Sequence, residues 1–235
     1  MKPITIFRHT ASEGAGYFSD FLKRHQIPFR VIHLDQGEAV PTTLSETSAL
    51  VFMGGPMSVN DDIDWIAPEL ELIRQAVASD MPVLGHCLGG QLISKALGGK
   101  INTNPVKELG WLPVQKQNNT EADDWLTDLP DSFTAFHWHG ETFTIPNGAR
   151  NILANQHCAH QAFVIGNTLA MQCHVEMTPE MVIDWATIHS ADIAVATNTI
   201  QSLEQLTAEL EPNIATLQAH ADQLYRRWLR PLIQL

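Results

Sequence analysis

A cysteine stands between glycines in the stretch GHCLGG, residues 85–90, where a short apolar run gives way to a helical pattern. The G-x-C-x-G turn around Cys87 has the pattern of a nucleophile elbow between a strand and a helix. A helix that starts beside the sulfur directs its N-terminal N–H groups at it and favours the thiolate. The pattern indicates a nucleophile, although a buried packing cysteine is the alternative that this segment alone leaves open.

A nucleophilic cysteine needs a base, and the base needs a group that orients it. His174 and Glu176 lie two residues apart in LAMQCHVEMTPE, at the end of an apparent strand. Residues i and i+2 of a strand face the same side, so the carboxylate could hold the imidazole while Cys173 and Val175 point the other way. The alternative is a solvated strand end.

A third segment, VFMGGPMSVND at 51–61, ends a strand in two glycines and a proline. The backbone amide of Gly55, together with that of Leu88, could form an oxyanion hole. An ordinary Gly-Pro turn is the alternative. The chain contains no P-loop or G-x-G-x-x-G pattern, so no nucleotide site and no cofactor are expected.

Several histidines stand close together in two further segments. HWHGE places His137, His139 and Glu141 on one strand face, and HCAH adds His157 and His160. Imidazole is a common zinc ligand, but this spacing matches no characteristic ligand set. The sequence therefore predicts no metal site.

Composition narrows the class of protein. The chain has 235 residues, 44% of them hydrophobic, and a formal net charge of -12. This charge speaks against nucleic acid and anionic membranes as partners, because phosphate groups need a cationic surface. No apolar run approaches the roughly 20 residues that span a bilayer. An odd number of cysteines, three, without C-x-x-C spacing favours free thiols and a cytoplasmic location.

The elements that must position these residues alternate over the first hundred positions. Short apolar runs at 3–9, 29–35, 49–55 and 81–87 alternate with helical candidates. The clearest helix places Ile66, Leu70, Ile73 and Val77 on one face. This alternation predicts an α/β fold with a mostly parallel, doubly wound sheet and helices on both faces. Ligands of such sheets bind beyond the carboxyl ends of the strands.

From about residue 100 to 175 the pattern predicts antiparallel strands added to that sheet. From Pro179 onward the chain reads as helical, with Pro212 at a break or restart. We expect a domain over 1–190 and a C-terminal helical tail over 191–235 that packs on it. The alternative for the apolar stripe of the tail is a partner or homodimer surface.

Taken together, these segments resemble the class I, or triad-type, glutamine amidotransferase family. GHCLGGQ matches the G-x-C-x-G-x-Q elbow of the family, TLAMQCHVE resembles its T-L-G-x-Q-F-H-P-E segment, and MGGPMS resembles its oxyanion loop. ELGW at 108–111 and HGETF at 139–143 resemble the branch of the amidotransferase domain of GMP synthase. The resemblance covers about residues 45 to 180.

The resemblance implies roles residue by residue. Cys87 would be the nucleophile, His174 the base and then the acid, and Glu176 the group that orients it. Gly55 and Leu88 would supply the oxyanion amides. The residues implied to hold glutamine are Gly54, Gln91, Trp138, His139 and Gly140. The implied reaction releases ammonia through a γ-glutamyl thioester, without a metal or cofactor.

The chain departs from the family pattern at three positions. Cys173 and Val175 replace the usual aromatic residue and proline around the catalytic histidine, and His86 replaces an aliphatic residue before the nucleophile. His86 is either a buried, hydrogen-bonded side chain or, if charged, a group that raises the thiolate content of Cys87.

Three functions remain open from the sequence. Because only a helical tail follows residue 180, a glutaminase would pass its ammonia to a separate synthetase subunit or act alone. A γ-glutamyl hydrolase or peptidase would use the same triad on a larger small molecule. A non-catalytic regulatory or binding module is the alternative from another class.

Overall fold

The computed structural model describes residues 1–233, and its strands form a single nine-stranded sheet. The strands are β1 (Ile4–Arg8), β2 (Phe29–His33), β3 (Ala49–Phe52), β4 (Val83–His86), β5 (Ile101–Lys116), β6 (Ser132–Phe143), β7 (Arg150–Ala154), β8 (Ala162–Ile165) and β9 (Thr168–Met171). Their order across the sheet is β2-β1-β3-β4-β9-β8-β7-β5-β6. The first five in this order are parallel, and the remaining pairs are antiparallel. The predicted α/β sheet with antiparallel additions is confirmed.

Helices cover both faces of the sheet. They are α1 (Gly16–Arg24), α2 (Ile66–Ala78), α3 (Leu88–Ala96), α4 (Thr120–Trp125), α5 (Pro179–Ile188), α6 (Leu203–Thr207) and α7 (Leu210–Leu229). Successive strand residues alternate between two cores, as the two-residue period of a strand requires. Ile4 and Ile6 of β1 join the core that holds α1 and α7, whereas Phe7 joins the core that holds α2 and α3.

In helix α2, the apolar periodicity of the sequence predicts the buried face only in part. Ile66 and Ile73 are buried as predicted, but Leu70 and Val77 are only half-buried. Glu69 is instead completely buried, because its carboxylate pairs with the imidazole of His9. This ionisable residue therefore faces the core because of a polar contact. The spacing of apolar residues along the helix cannot predict such a contact.

The C-terminal helix α7 packs as part of the main core. Trp228 is fully buried, and its indole N–H donates to the carbonyl of Val83 in β4 at 3.1 Å. Tyr225 packs edge-on against Phe18 of α1. Pro212 lies in the first turn of α7, where it costs no intrahelical hydrogen bond. The apolar stripe of α7 from Ile214 to Trp228 is thus covered by the chain itself, whereas Leu203 of α6 is half exposed. Within residues 1–233, no helix, α7 included, is both long enough and apolar enough to cross a bilayer.

The burial of Trp228 gives a test of the role of α7. We expect Trp228→Ala to lower the free energy of unfolding by about 3–5 kcal/mol, because it removes a large side chain from a closed core. Gln223→Ala, on the exposed face of the same helix, is the matched control and should stay within about 0.5 kcal/mol of the parent. Urea unfolding measures both, and equal stabilities would show that α7 is dispensable for the core.

Candidate active site

Cys87 occupies a strained turn between β4 and α3. Its backbone has φ 50° and ψ -106°, outside the conformations that side-chain-bearing residues usually adopt. The following helix turn lies very close to the neighbouring strands. A Cβ on Gly89 would lie 2.0 Å from the carbonyl oxygen of Phe52, and one on Gly90 would lie 2.4 Å from that of Met171. Only glycines allow this approach, so the elbow predicted from G-x-C-x-G is present.

His174 and Glu176 meet as the strand alternation predicted. His174 Nδ1 lies 2.6 Å from Glu176 Oε1, and the backbone N–H of Val175 donates to Glu176 Oε2 at 2.9 Å. Although β9 ends at Met171, His174 pairs with Phe136 of β6 in an isolated antiparallel bridge. Both side chains are 1% exposed, so the alternative of a solvated strand end is excluded.

The electrostatics of this pair favour charge on both partners. Burial opposes a charged His174, but the Glu176 carboxylate, its hydrogen bond with the imidazole and the nearby Cys87 outweigh it and raise the pKa of His174 well above its usual value. His174 Nε2 itself has no hydrogen-bond partner within residues 1–233. Burial likewise opposes a charged Glu176, but His86 and His174 lower its pKa to about 2. The arrangement suits an imidazolium held by a carboxylate.

The sulfur of Cys87 has two polar neighbours from other segments of the chain. The side-chain amide of Gln172 donates to Sγ at 3.5 Å, and the carbonyl oxygen of Trp138 lies 4.0 Å from it. Gln91 in turn donates to the side-chain oxygen of Gln172 at 3.1 Å. Gln172 was not singled out from the sequence, although its position two residues before His174 in the motif was a usable signal. This amide chain can orient the sulfur and stabilise negative charge on it.

The glycine loop after β3 lies against the elbow. A Cβ on Gly55 would lie 2.8 Å from the Leu88 side chain. Leu88 is the first residue of α3, so its backbone N–H belongs to the first turn, whose N–H groups lack intrahelical partners. The residues predicted to form an oxyanion hole are therefore brought together. Under this loop, His9 Nε2 contacts the Glu69 carboxylate at 3.1 Å.

A cavity of about 250 Å³ opens above the sulfur. Of the residues predicted from the sequence, it is lined by Gly55, Cys87, Gln91, Trp138, His139 and Gly140. The cavity lining does not include Gly54, Leu88, His174 or Glu176. The rim adds polar side chains that sequence reasoning did not single out for this pocket: Ser58, Lys107, His189 and Asp192. A pocket of this size suits a small molecule.

Glu13 is the main pocket residue that sequence reasoning missed. It follows β1 in a loop, and its carboxylate lines the cavity. Both Glu13 Oε2 and His174 Cε1 lie within 3.3 Å of the place where a Gly54 Cβ would be. Burial raises the pKa of Glu13 to about 7, and Glu176 adds to the rise, while His174 and His9 oppose it. No motif marks this residue, because its position depends on the β1 loop folding over the pocket.

The departures from the family pattern are all buried. His86 Nε2 lies 3.5 Å from Glu176 Oε2 and 3.4 Å from the hydroxyl of Tyr225. Burial lowers the pKa of His86, which favours the neutral, hydrogen-bonded alternative over a cation beside the sulfur. Burial also raises the pKa of the Cys173 thiol, and Val175 is completely buried. Cys173 is therefore a packing residue.

One cluster has the composition of a metal site. Glu108, His137 and His139 each place one ligand atom within 4.8 Å of the others, and all three are buried. The sequence had grouped Glu141 with these histidines, but the carboxylate that meets them comes from β5. Within residues 1–233, no other group of three or more such side chains has this geometry.

Comparison with known proteins decides the family. The model of the family described as glutamine amidotransferase class-I matches residues 21–182. The chain belongs to this family. The membership supports hydrolysis of a glutamine amide in general, and it confirms the resemblance drawn from the elbow, the His-Glu segment and the glycine loop.

Individual relatives agree with this assignment. The crystal structure of a glutamine amidotransferase from Methylobacillus flagellatus is 41% identical, covers 100% of this chain and 97% of its own, and has a TM-score of 0.95. The glutamine amidotransferase-like protein YfeJ of Salmonella typhimurium is 29% identical over 74% of this chain and 75% of its own. A glutamine-hydrolyzing GMP synthase subunit from Sulfolobus acidocaldarius is 31% identical over 57% of this chain and 70% of its own.

The raised pKa of Glu13 predicts that the free energy of unfolding depends on pH. Its carboxyl titrates near 7 in the folded chain and near 4.5 in the unfolded chain, so the folded state binds more protons between these values. Stability therefore falls as the pH rises through this window. We expect Glu13→Gln to change the free energy of unfolding, relative to the parent, in a pH-dependent way. The variant should gain about 2–3 kcal/mol more over the parent at pH 8 than at pH 5.

Denaturant unfolding at the two pH values measures this difference. Glu46→Gln changes an exposed carboxyl and serves as the control, with an expected effect below about 0.5 kcal/mol at either pH. If Glu13→Gln changes the free energy of unfolding equally at both pH values, the raised pKa of the Glu13 carboxyl is wrong.

Proposed function

We propose that this chain hydrolyses the side-chain amide of glutamine to glutamate and ammonia through a γ-glutamyl thioester. The observation that supports it most is the contact of His174 with Glu176 at 2.6 Å, buried beside Cys87 at a strained strand-helix turn. A packing cysteine has no need of a charged histidine or of a turn with this backbone strain.

The proposed first step is attack of the Cys87 sulfur on the amide carbon. The imidazolium of His174 gives its proton to the departing nitrogen, and ammonia leaves. A water molecule then loses a proton to His174 and attacks the thioester carbon, which releases glutamate and restores the thiolate beside the imidazolium. Glu176 holds the imidazole by Nδ1 and stabilises its charge, as the orienting acid of a triad does.

The backbone N–H groups of Gly55 and Leu88 are proposed to stabilise the oxyanion in both steps. Gln172, through its 3.5 Å contact with the sulfur, is proposed to position the thiolate. Gly54, Gln91 and the wall over residues 138–140 are proposed to hold the glutamine chain, since the cavity above the sulfur has room for a molecule of about that size.

The ammonia acceptor is proposed to be a separate synthetase subunit. The similarity to a protein named as one subunit of a GMP synthase supports this proposal. We also propose that residues 1–190 and the extension over 191–235 form one functional unit, because Asp192 of the extension contributes to the pocket rim. A homodimer and a cytoplasmic location remain predictions.

A γ-glutamyl hydrolase is the second candidate. The pocket continues past Cys87 to a polar rim that includes Lys107, Glu141, His189 and Asp192, and Lys107 pairs with Asp192 at 2.8 Å. These groups have no role in holding glutamine alone, and they could contact the leaving group of a larger γ-glutamyl compound.

The reaction is tested first by substitution of the nucleophile. We expect the parent protein to release ammonia from glutamine and to carry a γ-glutamyl adduct in intact-protein mass spectra. Cys87→Ala should lose both, because the thioester forms on its sulfur. Cys158→Ala removes another buried free cysteine and should retain both.

The same assay with γ-glutamyl peptides separates the two candidate functions. Cleavage of peptides at a far higher kcat/KM than glutamine would identify the hydrolase. If neither substrate acylates Cys87, with or without a candidate synthetase subunit, both enzymatic proposals are wrong.

The triad is tested at its orienting acid. We expect Glu176→Gln to lower kcat/KM by about 10²–10⁴, because His174 loses both its carboxylate partner and its fixed orientation. The pKa of His174, followed by NMR of its imidazole, should fall in the same variant. Glu141→Gln changes a rim carboxylate and should leave that pKa unchanged, whereas an unchanged pKa in Glu176→Gln would remove Glu176 from the triad.

A further inference from the structure

In the cluster of Glu108, His137 and His139, only His139 has a place in the proposed reaction, as part of the pocket wall. The two histidines lie on β6, on either side of Trp138, and Glu108 lies on β5 directly opposite His139. Exposure is 0% for Glu108 and His137 and 5% for His139. Three buried ionisable groups in one place require a specific reason, because buried charge and unpaired polar atoms are costly.

The hydrogen bonds of the two imidazoles show where their protons lie. His139 Nδ1 is 2.9 Å from the carbonyl oxygen of Glu141, and His137 Nε2 is 3.3 Å from that of Leu112. A carbonyl only accepts, so these nitrogens carry the protons. In the neutral imidazoles the other nitrogens, His139 Nε2 and His137 Nδ1, therefore present lone pairs.

These lone pairs have no suitable partner in the protein. His139 Nε2 lies 3.0 Å from Glu108 Oε2, where a lone pair would face a carboxylate. His137 Nδ1 is buried, and no hydrogen-bond partner for it exists in the part of the chain that the structure describes. Buried polar atoms are normally satisfied, so the arrangement lacks a positive charge between these groups.

A proton on His139 would solve only part of this problem. It would pair His139 with Glu108 and leave His137 Nδ1 without a partner. A metal ion, by contrast, takes both lone pairs and one carboxylate oxygen at once. We propose that Glu108, His137 and His139 form a site for a divalent transition-metal ion of the Zn²⁺ class, with a water molecule as the fourth ligand.

The surroundings of the three ligands match those of known metal sites. Metal-ligating histidines usually donate their other N–H to a carbonyl or carboxylate, as both do here. The carboxylate of Glu108 is itself held by the side-chain amides of Asn155 at 2.6 Å and Gln161 at 2.8 Å. Two imidazoles and a carboxylate with an open position form a ligand set that zinc accepts.

The site is reachable and its ligands are close to a bound geometry. His139 lines the cavity above Cys87, which provides an entry path. Donor atoms of a tetrahedral zinc site lie roughly 3–3.5 Å apart, so side-chain shifts of about 1 Å would close the present arrangement. A bound ion would join β5 to β6 and hold Trp138, whose carbonyl oxygen contacts the Cys87 sulfur.

Metal binding is measured directly, so the result does not depend on the proposed reaction. The full chain is stripped with a chelator and titrated with Zn²⁺ by calorimetry and with Co²⁺ by absorption. We expect one ion per chain, tetrahedral Co²⁺ d–d bands, and a Tm raised by about 5–10 °C at a free Zn²⁺ concentration 100 times Kd.

Variants assign the ion to this cluster. Glu108→Gln and His137→Leu should lose stoichiometric binding and the Co²⁺ bands. His157→Ala is the matched control, because it removes an imidazole that lies outside the cluster, and it should bind as the parent does.

Two results would overturn the proposal. If the parent protein binds no ion stoichiometrically, the proposal is wrong, and this result does not depend on whether any variant folds. Binding that persists in folded Glu108→Gln or His137→Leu, or that is lost in His157→Ala, would place the ion elsewhere.

Discussion

The close approach of helix α3 to strands β3 and β9 is the constraint on which the rest of the site depends. Gly89 and Gly90 let the first turn of α3 touch the carbonyls of Phe52 and Met171, and Cys87, just before that turn, has a positive φ. The sulfur is thereby held where the carboxyl ends of β3, β4 and β9 meet. The glycine loop follows β3 and the His-Glu segment follows β9, so one packing contact brings all three motifs together.

Buried acids around this point are each matched by histidine. Glu176 contacts His174 and His86, and Glu69 contacts His9. Glu108 lies beside His139, where the proposed metal ion would supply the positive charge. Burial of an unpaired charge would be prohibitive, whereas an acid and an imidazole can share charge and hydrogen bonds. Glu13 is different because it faces the cavity, and its raised pKa leaves a carboxyl that can change protonation when a ligand enters. The pairs therefore give rigidity, and the exception gives the pocket a titratable group.

Sequence reasoning succeeded where local chemistry dictates structure. The elbow at Cys87 and the i, i+2 placement of His174 and Glu176 follow from glycine conformations and strand alternation, and both appear in the structure. It was less accurate where a contact joins distant segments. Glu69 turns inward for His9, and Glu108 meets His139 across two strands. Glu13 reaches the pocket from a loop after β1. None of these contacts leaves a periodic signal in the chain.

Helix α7 is linked by side-chain contacts to the His174–Glu176 pair. Tyr225 contacts His86, and His86 contacts the carboxylate of Glu176, whose other oxygen holds His174. Trp228 on the same helix donates to β4, the strand that ends at the elbow. Because these contacts are buried, displacement of α7 would remove the Tyr225 contact from His86 and the indole donor from the Val83 carbonyl, at a cost of about 0.5–1.5 kcal/mol for each hydrogen bond. The helix that reads as an appendage in the sequence therefore supports the orientation of the histidine-glutamate pair from behind the sheet.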